Sequence, residues 1–185
     1  MDAALDLIAE RGESGLSLRR VTGAADANIS AVSYHFGSLK SLSDAAIDGA
    51  LERYLEAQQD AVSELSPDST LEGTAAAFAR PMIQAMVAGG RELAVMRIVA
   101  RGGIDPPTRW DRFDDTFVGI RTAVLPVLKA RVPGVGDKEL IFRIRCAAGL
   151  MTWVVLAPVG ADLRGRSEKQ IERLLIPPLV GALRG

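Results

Sequence analysis

The sequence contains almost none of the residues from which disulfide frameworks and most metal sites are built. Among its 185 residues there is one cysteine, Cys146, and one histidine, His35. A single cysteine excludes a disulfide framework and a cysteine-rich metal site. With only one histidine, a metal site would have to consist mostly of carboxylates. We therefore expect neither a metal ion nor another cofactor.

Long apolar runs are missing as well. The longest segment without a charged residue, 146–161, has 16 residues and contains Pro158 and Gly160, whereas a membrane-spanning helix needs about 20 apolar residues. Met1 is followed by Asp2 and an amphipathic segment, not by the basic end and apolar run of a signal peptide. A buried interface helix explains 146–161 better than a membrane span does, so we expect a cytoplasmic protein without a membrane partner.

Aromatic residues are scarce, at 5%, although hydrophobic residues make up 48% of the chain. Alanine and leucine dominate and β-branched runs are short, which favours an all-α protein. Glycine, proline and capping residues divide the chain into predicted helices at 2–11, 18–25, 29–35, 39–64, 69–88, 91–102, 106–131, 137–158 and 167–183. We expect two domains, one over residues 1–45 and a helical bundle over residues 46–185.

The segment 16–42, LSLRRVTGAADANISAVSYHFGSLKSL, predicts two short helices, a tight turn at Asp26-Ala27-Asn28 and the start of a third helix. We expect Ile29, Val32 and Phe36 to hold the second of these helices against the core. Its other positions carry small hydrogen-bonding residues, followed by a tyrosine and a histidine. Such a helix is suited to a DNA groove, and the pattern is that of a helix-turn-helix.

The first 45 residues resemble the DNA-binding domain of the tetracycline-repressor (TetR) family of bacterial regulators. The resemblance is carried by the segment ALDLIAERG at 4–12, by Leu18-Arg19-x-Val21 and by Leu42. Most specific is the pentad YHFGS at 34–38, at this distance from the GLSL entry at 15–18. The resemblance implies a homodimer that binds a double-stranded DNA operator, most often as a repressor, and that a small-molecule inducer releases from it. In that family glycine usually stands at the position of Asp26.

DNA contacts follow from the pattern and from the resemblance. The family's matching residues imply phosphate contacts for Tyr34 and often for His35, neither of which reads sequence. Base readout would fall to the exposed face of the same helix. Two further residues lie at predicted helix N-termini, which bind phosphate well. The predicted DNA-binding set is Ser17, Arg19, Asn28, Ser30, Ala31, Ser33, Tyr34, His35 and Lys40.

Positive charge is weaker than DNA binding usually requires. The net charge is −1, and acidic residues outnumber the four basic ones in residues 1–50. This leaves open a helical ligand-binding or scaffold protein that has lost DNA binding, and more remotely a small all-α enzyme. We expect no enzyme and no catalytic residues, because His35 lies on the DNA-reading helix. The adjacent carboxylates Asp114 and Asp115 point about 100° apart on a helix.

The middle helices combine scarce aromatics with methionines, which suits an adaptable apolar pocket. Plain core packing is the alternative for each residue taken singly. The predicted pocket set is Phe78, Met82, Met86, Met96, Arg97, Trp110, Phe113, Phe117, Arg121, Phe142 and Trp153. The expected ligand is an elongated apolar molecule, and Arg97 and Arg121 suggest an acidic head.

The last two predicted helices carry broad apolar stripes. Either they form an internal core, or they form the dimer interface that the resemblance implies. We predict a homodimer whose interface contains Leu140, Ile144, Ala148, Met151, Val155, Ile171, Leu174 and Leu175. A two-fold protein matches a palindromic operator.

Overall fold

The computed structural model describes residues 1–102, 104, 117–157 and 162–185. In those ranges the chain forms helices and no strands. The helices are α1 (Asp2–Arg11), α2 (Leu18–Ala24), α3 (Ile29–Phe36), α4 (Leu39–Val62), α5 (Leu71–Ala88), α6 (Gly90–Gly102), α7 (Val118–Arg131), α8 (Asp137–Leu156) and α9 (Glu168–Arg184), with a short 3₁₀ turn at Glu13–Gly15 between α1 and α2.

Capping side chains determine where several helices begin. The Ser17 Oγ accepts a hydrogen bond from the Arg20 amide at 3.3 Å, and the Ser38 Oγ accepts one from the Ser41 amide at 3.0 Å. Ser167 and Gln170 form a reciprocal capping box at the start of α9. These bonds satisfy amides that have no partner within the helix. Ser17 and Ser38 therefore fix the first residues of α2 and α4.

The described helices form two clusters of buried side chains. The larger cluster lies among α4, α5, α6, α7, α8 and α9, with fully buried residues such as Val124, Leu140 and Leu179. The smaller cluster joins α1, α2 and α3 to the first part of α4. Ala94 and Ile98 of α6 also belong to this smaller cluster. The N-terminal helices thus complete their core with a helix from the middle of the chain.

Arg101 makes a second connection between α1 and α6. Its guanidinium donates to the Ala9 carbonyl at 3.3 Å and to the Glu10 carbonyl at 3.1 Å. These carbonyls lie at the end of α1, where intrahelical partners are lacking and the helix dipole favours a cation. An ion pair between Arg91 and Asp2 joins the start of α6 to the start of α1. Polar contacts therefore fix both ends of α1 against α6.

Candidate DNA-reading helix and ligand cavity

The turn before α3 is built on a left-handed residue. Asp26 has a φ of 49°, and it is the one non-glycine residue with positive φ in the described ranges. The Ala27 amide donates to the Thr22 carbonyl at 2.9 Å. Aspartate tolerates this conformation better than most residues, as expected for a position where the family usually has glycine. The turn sets α3 against α2 and α4.

The outer surface of α3 carries most of the predicted DNA-binding residues. Tyr34 has 85% of its surface exposed, and its ring lies 4.9 Å from the His35 ring in an edge-on arrangement. Asn28, Ser30, Ser33 and His35 are exposed, whereas Ala31 is half-buried. Val32 is buried and holds the helix to the N-terminal core. The structure therefore brings the α3 residues of the predicted set onto one exposed helix.

Asn28 has a second role that the sequence pattern did not reveal. Its Oδ1 accepts a hydrogen bond from the Ser30 amide at 3.1 Å, and the residue is the N-cap of α3. Bidentate reading of adenine requires both the oxygen and the nitrogen of an asparagine amide. With Oδ1 engaged in the cap, the side-chain NH₂ is the group of Asn28 that remains available as a donor.

Ile29 contradicts the sequence expectation. We expected it to hold α3 against the core, but 53% of its surface is exposed. Ile29 is the first residue of α3, directly after the N-cap, whereas Val32 is the residue of α3 that is buried. Periodicity alone assigns an apolar residue to the buried face, although N-terminal residues of a recognition helix are the ones that contact base edges. Ile29 thus belongs with the candidate DNA-contacting residues.

The basic residues near this surface are few and differ in their partners. Arg19 is exposed on α2, whereas Arg20 donates to the Gly15 carbonyl at 2.9 Å. The Lys40 Nζ lies 2.7 Å from the Asp44 carboxylate, one turn along α4. The half-buried Ser17 caps α2. Two predicted phosphate contacts, Ser17 and Lys40, are therefore engaged in local interactions in the unbound protein.

A cavity of about 420 Å³ lies among α4, α5, α6, α7 and α8, within the size range of small-molecule sites. Six residues of the predicted pocket set line it: Phe78, Met82, Met96, Phe117, Arg121 and Trp153. Trp153 is 59% exposed, so it lies where the cavity meets the surface. The lining is mostly apolar.

Other members of the predicted pocket set lie elsewhere. Met86 and Arg97 line a separate cleft of about 370 Å³ between α1, α6 and the end of α8, where Arg101 and Arg164 add positive charge. Phe142 is 64% exposed on the outer face of α8 and does not line the cavity. Their sequence spacing did not reveal which helix face each residue occupies. Trp110 and Phe113 lie outside the described residues.

Tyr54 is a cavity residue that the sequence interpretation missed. It lies on α4, has 7% of its surface exposed and lines the cavity. Its ring centroid is 5.6 Å from that of Phe117. Burial raises the pKa of the Tyr54 phenol above its usual range, because desolvation disfavours the charged form. The phenol is therefore a neutral hydroxyl at physiological pH.

Most residues of the predicted dimer interface are buried within the protomer. Side chains packed inside one protomer are not available to contact a second one, so the structure supports the internal-core alternative for these positions. The buried positions are Leu140, Ile144, Met151, Val155, Ile171 and Leu175. Ala148 is half-buried and lines the cavity together with Ile144, Met151 and Val155. Leu174 is exposed.

The opposite face of α8 is apolar and uncovered. Phe142, Leu150 and Trp153 are exposed, and a helical turn of about 100° per residue places them within one sector of the helix. Leu174 on the neighbouring α9 is 53% exposed. Clustered exposed apolar side chains of this kind mark interaction sites in soluble proteins. This surface, defined by Phe142, Leu150, Trp153 and Leu174, is called the α8–α9 face below.

Two classes of feature are missing from the part of the chain that the structure describes. Within it, no helix combines the length and apolar character needed to cross a membrane. The same residues contain no group of three or more His, Cys, Asp or Glu side chains arranged to hold a metal ion.

Comparisons with known proteins agree with this architecture. Residues 76–180 match the family model described as "Tetracyclin repressor-like, C-terminal domain". The fold is similar to that of the TetR family transcriptional regulator PfmR from Thermus thermophilus, with a TM-score of 0.64 and 15% identity over 97% of this chain and 96% of that one. A putative TetR-family transcriptional regulator from Mesorhizobium loti gives 0.59 and 14% over 98% and 91%. No curated protein matches the chain.

The family model covers more than half of the chain, and the two similar structures extend over nearly all of it. The all-α fold predicted from the sequence is therefore confirmed. The matched region lies in the C-terminal helices, whereas the sequence resemblance was found in the first 45 residues, so the two observations are independent. The chain belongs to the TetR family of transcriptional regulators, which act by binding DNA rather than as enzymes.

Proposed function

We propose that the protein is a homodimeric transcriptional repressor that binds its operator through α3 and releases it when an apolar small molecule fills the cavity. The observation that carries the proposal is the exposed polar surface of α3, above all Tyr34 with 85% exposure. A bulky aromatic ring held this far out in water gains little from packing. On DNA its hydroxyl donates to a phosphate and its ring is desolvated.

Phosphate contacts position the domain on the duplex. Tyr34, His35 and Arg19 are exposed near α3, and the N-terminal amides of α2 and α4 offer further anion sites. The Lys40–Asp44 pair is exposed, so it contributes at most about 0.5 kcal/mol. A phosphate therefore competes readily with Asp44 for the Lys40 ammonium. Ser17 contributes through the α2 N-terminus that it caps.

Base readout falls to the first two turns of α3. The Ser30 and Ser33 hydroxyls and the Asn28 NH₂ group are the polar candidates, and each is exposed. Ile29 and the half-buried Ala31 supply apolar contacts, which read the methyl group of thymine. The combination favours an operator with A·T pairs at the positions that face the start of α3.

Dimerisation uses the α8–α9 face. Its exposed aromatic and leucine side chains would be covered by the same face of a second protomer, because a two-fold interface pairs a surface with itself. The residues that we predicted from the sequence, such as Leu140 and Leu175, then support this interface from beneath. Two copies of α3 related by the two-fold axis would read the two halves of a palindromic operator.

Ligand control depends on α4 and α6. Both helices line the cavity, through Tyr54 and Met96 respectively, and both contribute to the N-terminal core, through Ala46 and Ile98 among others. A ligand that favours a more open arrangement of the cavity shifts the population of the whole protein toward that state. The spacing between the two α3 helices then changes, and they no longer fit successive major grooves.

The alternative function is a helical ligand-binding or scaffold protein that has lost DNA binding. One observation favours it: acidic residues outnumber basic ones in residues 1–50, and Arg20 and Lys40 already have local partners. The two functions differ in one measurable property, since a DNA-binding protein releases counterions and its affinity falls steeply with salt.

The experiment that tests the proposal is selection of bound duplexes from a random DNA library, followed by fluorescence anisotropy at several salt concentrations. We expect a palindromic sequence and strong salt dependence. Arg19→Ala should reduce the salt slope by about one, as expected for one lost phosphate contact. Arg80→Ala, an exposed arginine on α5, is the matched control and should leave the slope unchanged. Absence of any salt-dependent DNA binding refutes the proposal and leaves the alternative function.

A further inference from the structure

The cavity has a polar group on α4 that the protein does not use. The Tyr54 side chain is buried and lines the cavity, yet its hydroxyl has no hydrogen-bond partner among the described residues. Buried tyrosine hydroxyls usually have such a partner. The hydroxyl oxygen retains some accessible surface, because Gln58 Oε1 is the one fully enclosed unpaired side-chain atom among the described residues. The position of this group in the cavity wall means that a bound molecule can supply the missing acceptor.

We propose that the ligand of this cavity carries an uncharged hydrogen-bond acceptor on an apolar body, and that the Tyr54 hydroxyl donates to it. This inference rests on the proposed function of the cavity as the effector site. Ketones, esters, lactones and alcohols all supply such an acceptor. The proposal differs from the sequence expectation of an acidic head, which was based on Arg97 and Arg121.

The charged groups of the cavity argue against an acidic head at this position. Arg97 lines the separate cleft rather than the cavity. Arg121 and Arg145 do line the cavity, but each already interacts with another group of the protein. Desolvating a carboxylate is far more costly than desolvating a neutral polar group, and these arginines would have to rearrange their present interactions to offset that cost. A neutral acceptor satisfies Tyr54 without that cost.

The ring of Tyr54 is packed against neighbouring side chains. Its ring packs against Phe117 with a centroid distance of 5.6 Å and an interplanar angle of 60°. Phe78 and Met82 of α5 line the same cavity. A ring held between neighbouring helices loses little further freedom when it forms a hydrogen bond, which favours selective recognition. Among the lining residues that the structure describes, the half-buried Thr152 and the indole N–H of Trp153, both on α8, are the other uncharged polar groups besides Tyr54.

Tyr54 also connects the ligand to the DNA-binding helices. It lies 15 residues after Leu39, the first residue of α4, which is about 22 Å along the helix axis. The first part of α4 belongs to the N-terminal core. A ligand bound to Tyr54 therefore acts directly on the helix that leads to α3, without an intervening element.

The test uses three molecules with a ten-carbon body and different head groups: 2-decanone, 1-decanol and decanoate. Affinities are measured by isothermal titration calorimetry with the full chain. We expect 2-decanone and 1-decanol to bind more tightly than decanoate. Tyr54→Phe removes only the hydroxyl and should weaken 2-decanone binding about 3- to 10-fold, the range for one hydrogen bond. Decanoate binding should change little in this variant.

The matched control is Tyr34→Phe, which removes the hydroxyl of the other tyrosine of the chain and should weaken DNA binding but not 2-decanone binding. Equal binding of 2-decanone by wild type and Tyr54→Phe overturns the hydrogen bond while the cavity remains a ligand site. Tightest binding of decanoate overturns the neutral head group, and this comparison needs no variant. If none of the three molecules binds, both this inference and the ligand-release part of the proposed function fail, whereas operator binding is tested separately.

Discussion

Gln58 offers a direct test of the packing between α4 and α5. It is fully buried, and its Nε2 donates to the Phe78 carbonyl at 3.2 Å. Its Oε1 is the one buried side-chain nitrogen or oxygen atom without a hydrogen-bond partner in the described ranges. Replacing Gln58 by methionine retains the length of the side chain and removes both polar groups. Methionine has a similar helix propensity and fills irregular space well.

The expected change is a small gain in stability. An unpaired buried acceptor costs about 1–3 kcal/mol, and the hydrogen bond from Nε2 contributes about 0.5–1.5 kcal/mol. The Phe78 carbonyl lies inside α5, where a carbonyl accepts from the residue four positions later, so it is not left unpaired. Removing the cost of the unpaired acceptor outweighs losing the hydrogen bond from Nε2, so Gln58→Met should be more stable than wild type by about 1 kcal/mol. For a chain of this size that corresponds to a rise of about 2–4 °C in melting temperature.

The assay is urea denaturation followed by circular dichroism, with all samples at one protein concentration, because the stability of any self-associating protein depends on its concentration. Gln59→Met is the matched control, since Gln59 is exposed on the same helix and its replacement should change stability by less than about 0.5 kcal/mol. A loss of about 1 kcal/mol or more in Gln58→Met refutes the reasoning. That result would show that Oε1 has a partner in solution, such as an ordered water molecule.

Three further predictions concern assembly, helix capping and sequence readout. Leu174→Glu places a charge in the α8–α9 face and should convert the proposed dimer into monomers in sedimentation velocity. Val87→Glu, at an exposed position of α5, is the control and should leave the dimer intact. A dimer that survives Leu174→Glu contradicts the proposed interface. Ser38→Ala removes the cap of α4 and should cost about 1 kcal/mol in urea denaturation, and no loss would mean that the Ser41 amide finds another acceptor. Replacing the thymine opposite Ile29 by uracil removes one methyl group from the operator and should weaken binding by wild type by about 0.8 kcal/mol, the value of one buried methyl-sized group. The Ile29→Ala variant should bind the thymine and uracil operators equally well. Equal discrimination by both proteins would exclude contact of Ile29 with the methyl group.

Local signals in the sequence predicted most of the architecture. In the described ranges, the predicted helix ends agree with the observed ones within about two residues wherever a capping residue or a glycine ends or begins the helix locally, as at Ser17 and Ser38. The left-handed turn at Asp26 was also predictable, because the conformation is decided by one residue and its adjacent amides. The family resemblance was carried by the same kind of short-range pattern.

Burial on α8 was not predictable in the same way. This helix has apolar residues on two sides, and periodicity does not indicate which side neighbouring helices of the same protomer cover. Leu140 and Met151 proved to be core residues, whereas Phe142 and Trp153 are exposed. The outcome depends on packing against helices distant in sequence. Tyr54 was missed for a related reason, since it stands next to Arg53 in a polar stretch that gives no local indication of a cavity.

Two neighbouring faces of α6 belong to different parts of the molecule, which limits how freely the protein can be recombined. Ala94 and Ile98 complete the core of the N-terminal helices, while Met96, Val99 and Ala100 line the cavity. A chimera that joins residues 1–45 to the C-terminal helices of another family member would meet a foreign surface where Ala94 and Ile98 pack. Grafts that carry these two α6 residues along with the first 45 should fold more stably than grafts of residues 1–45 alone. Variants of Met96 or Val99 made to change ligand response should likewise be tested for operator affinity. Each substitution lies on α6, which also packs into the core of the N-terminal helices.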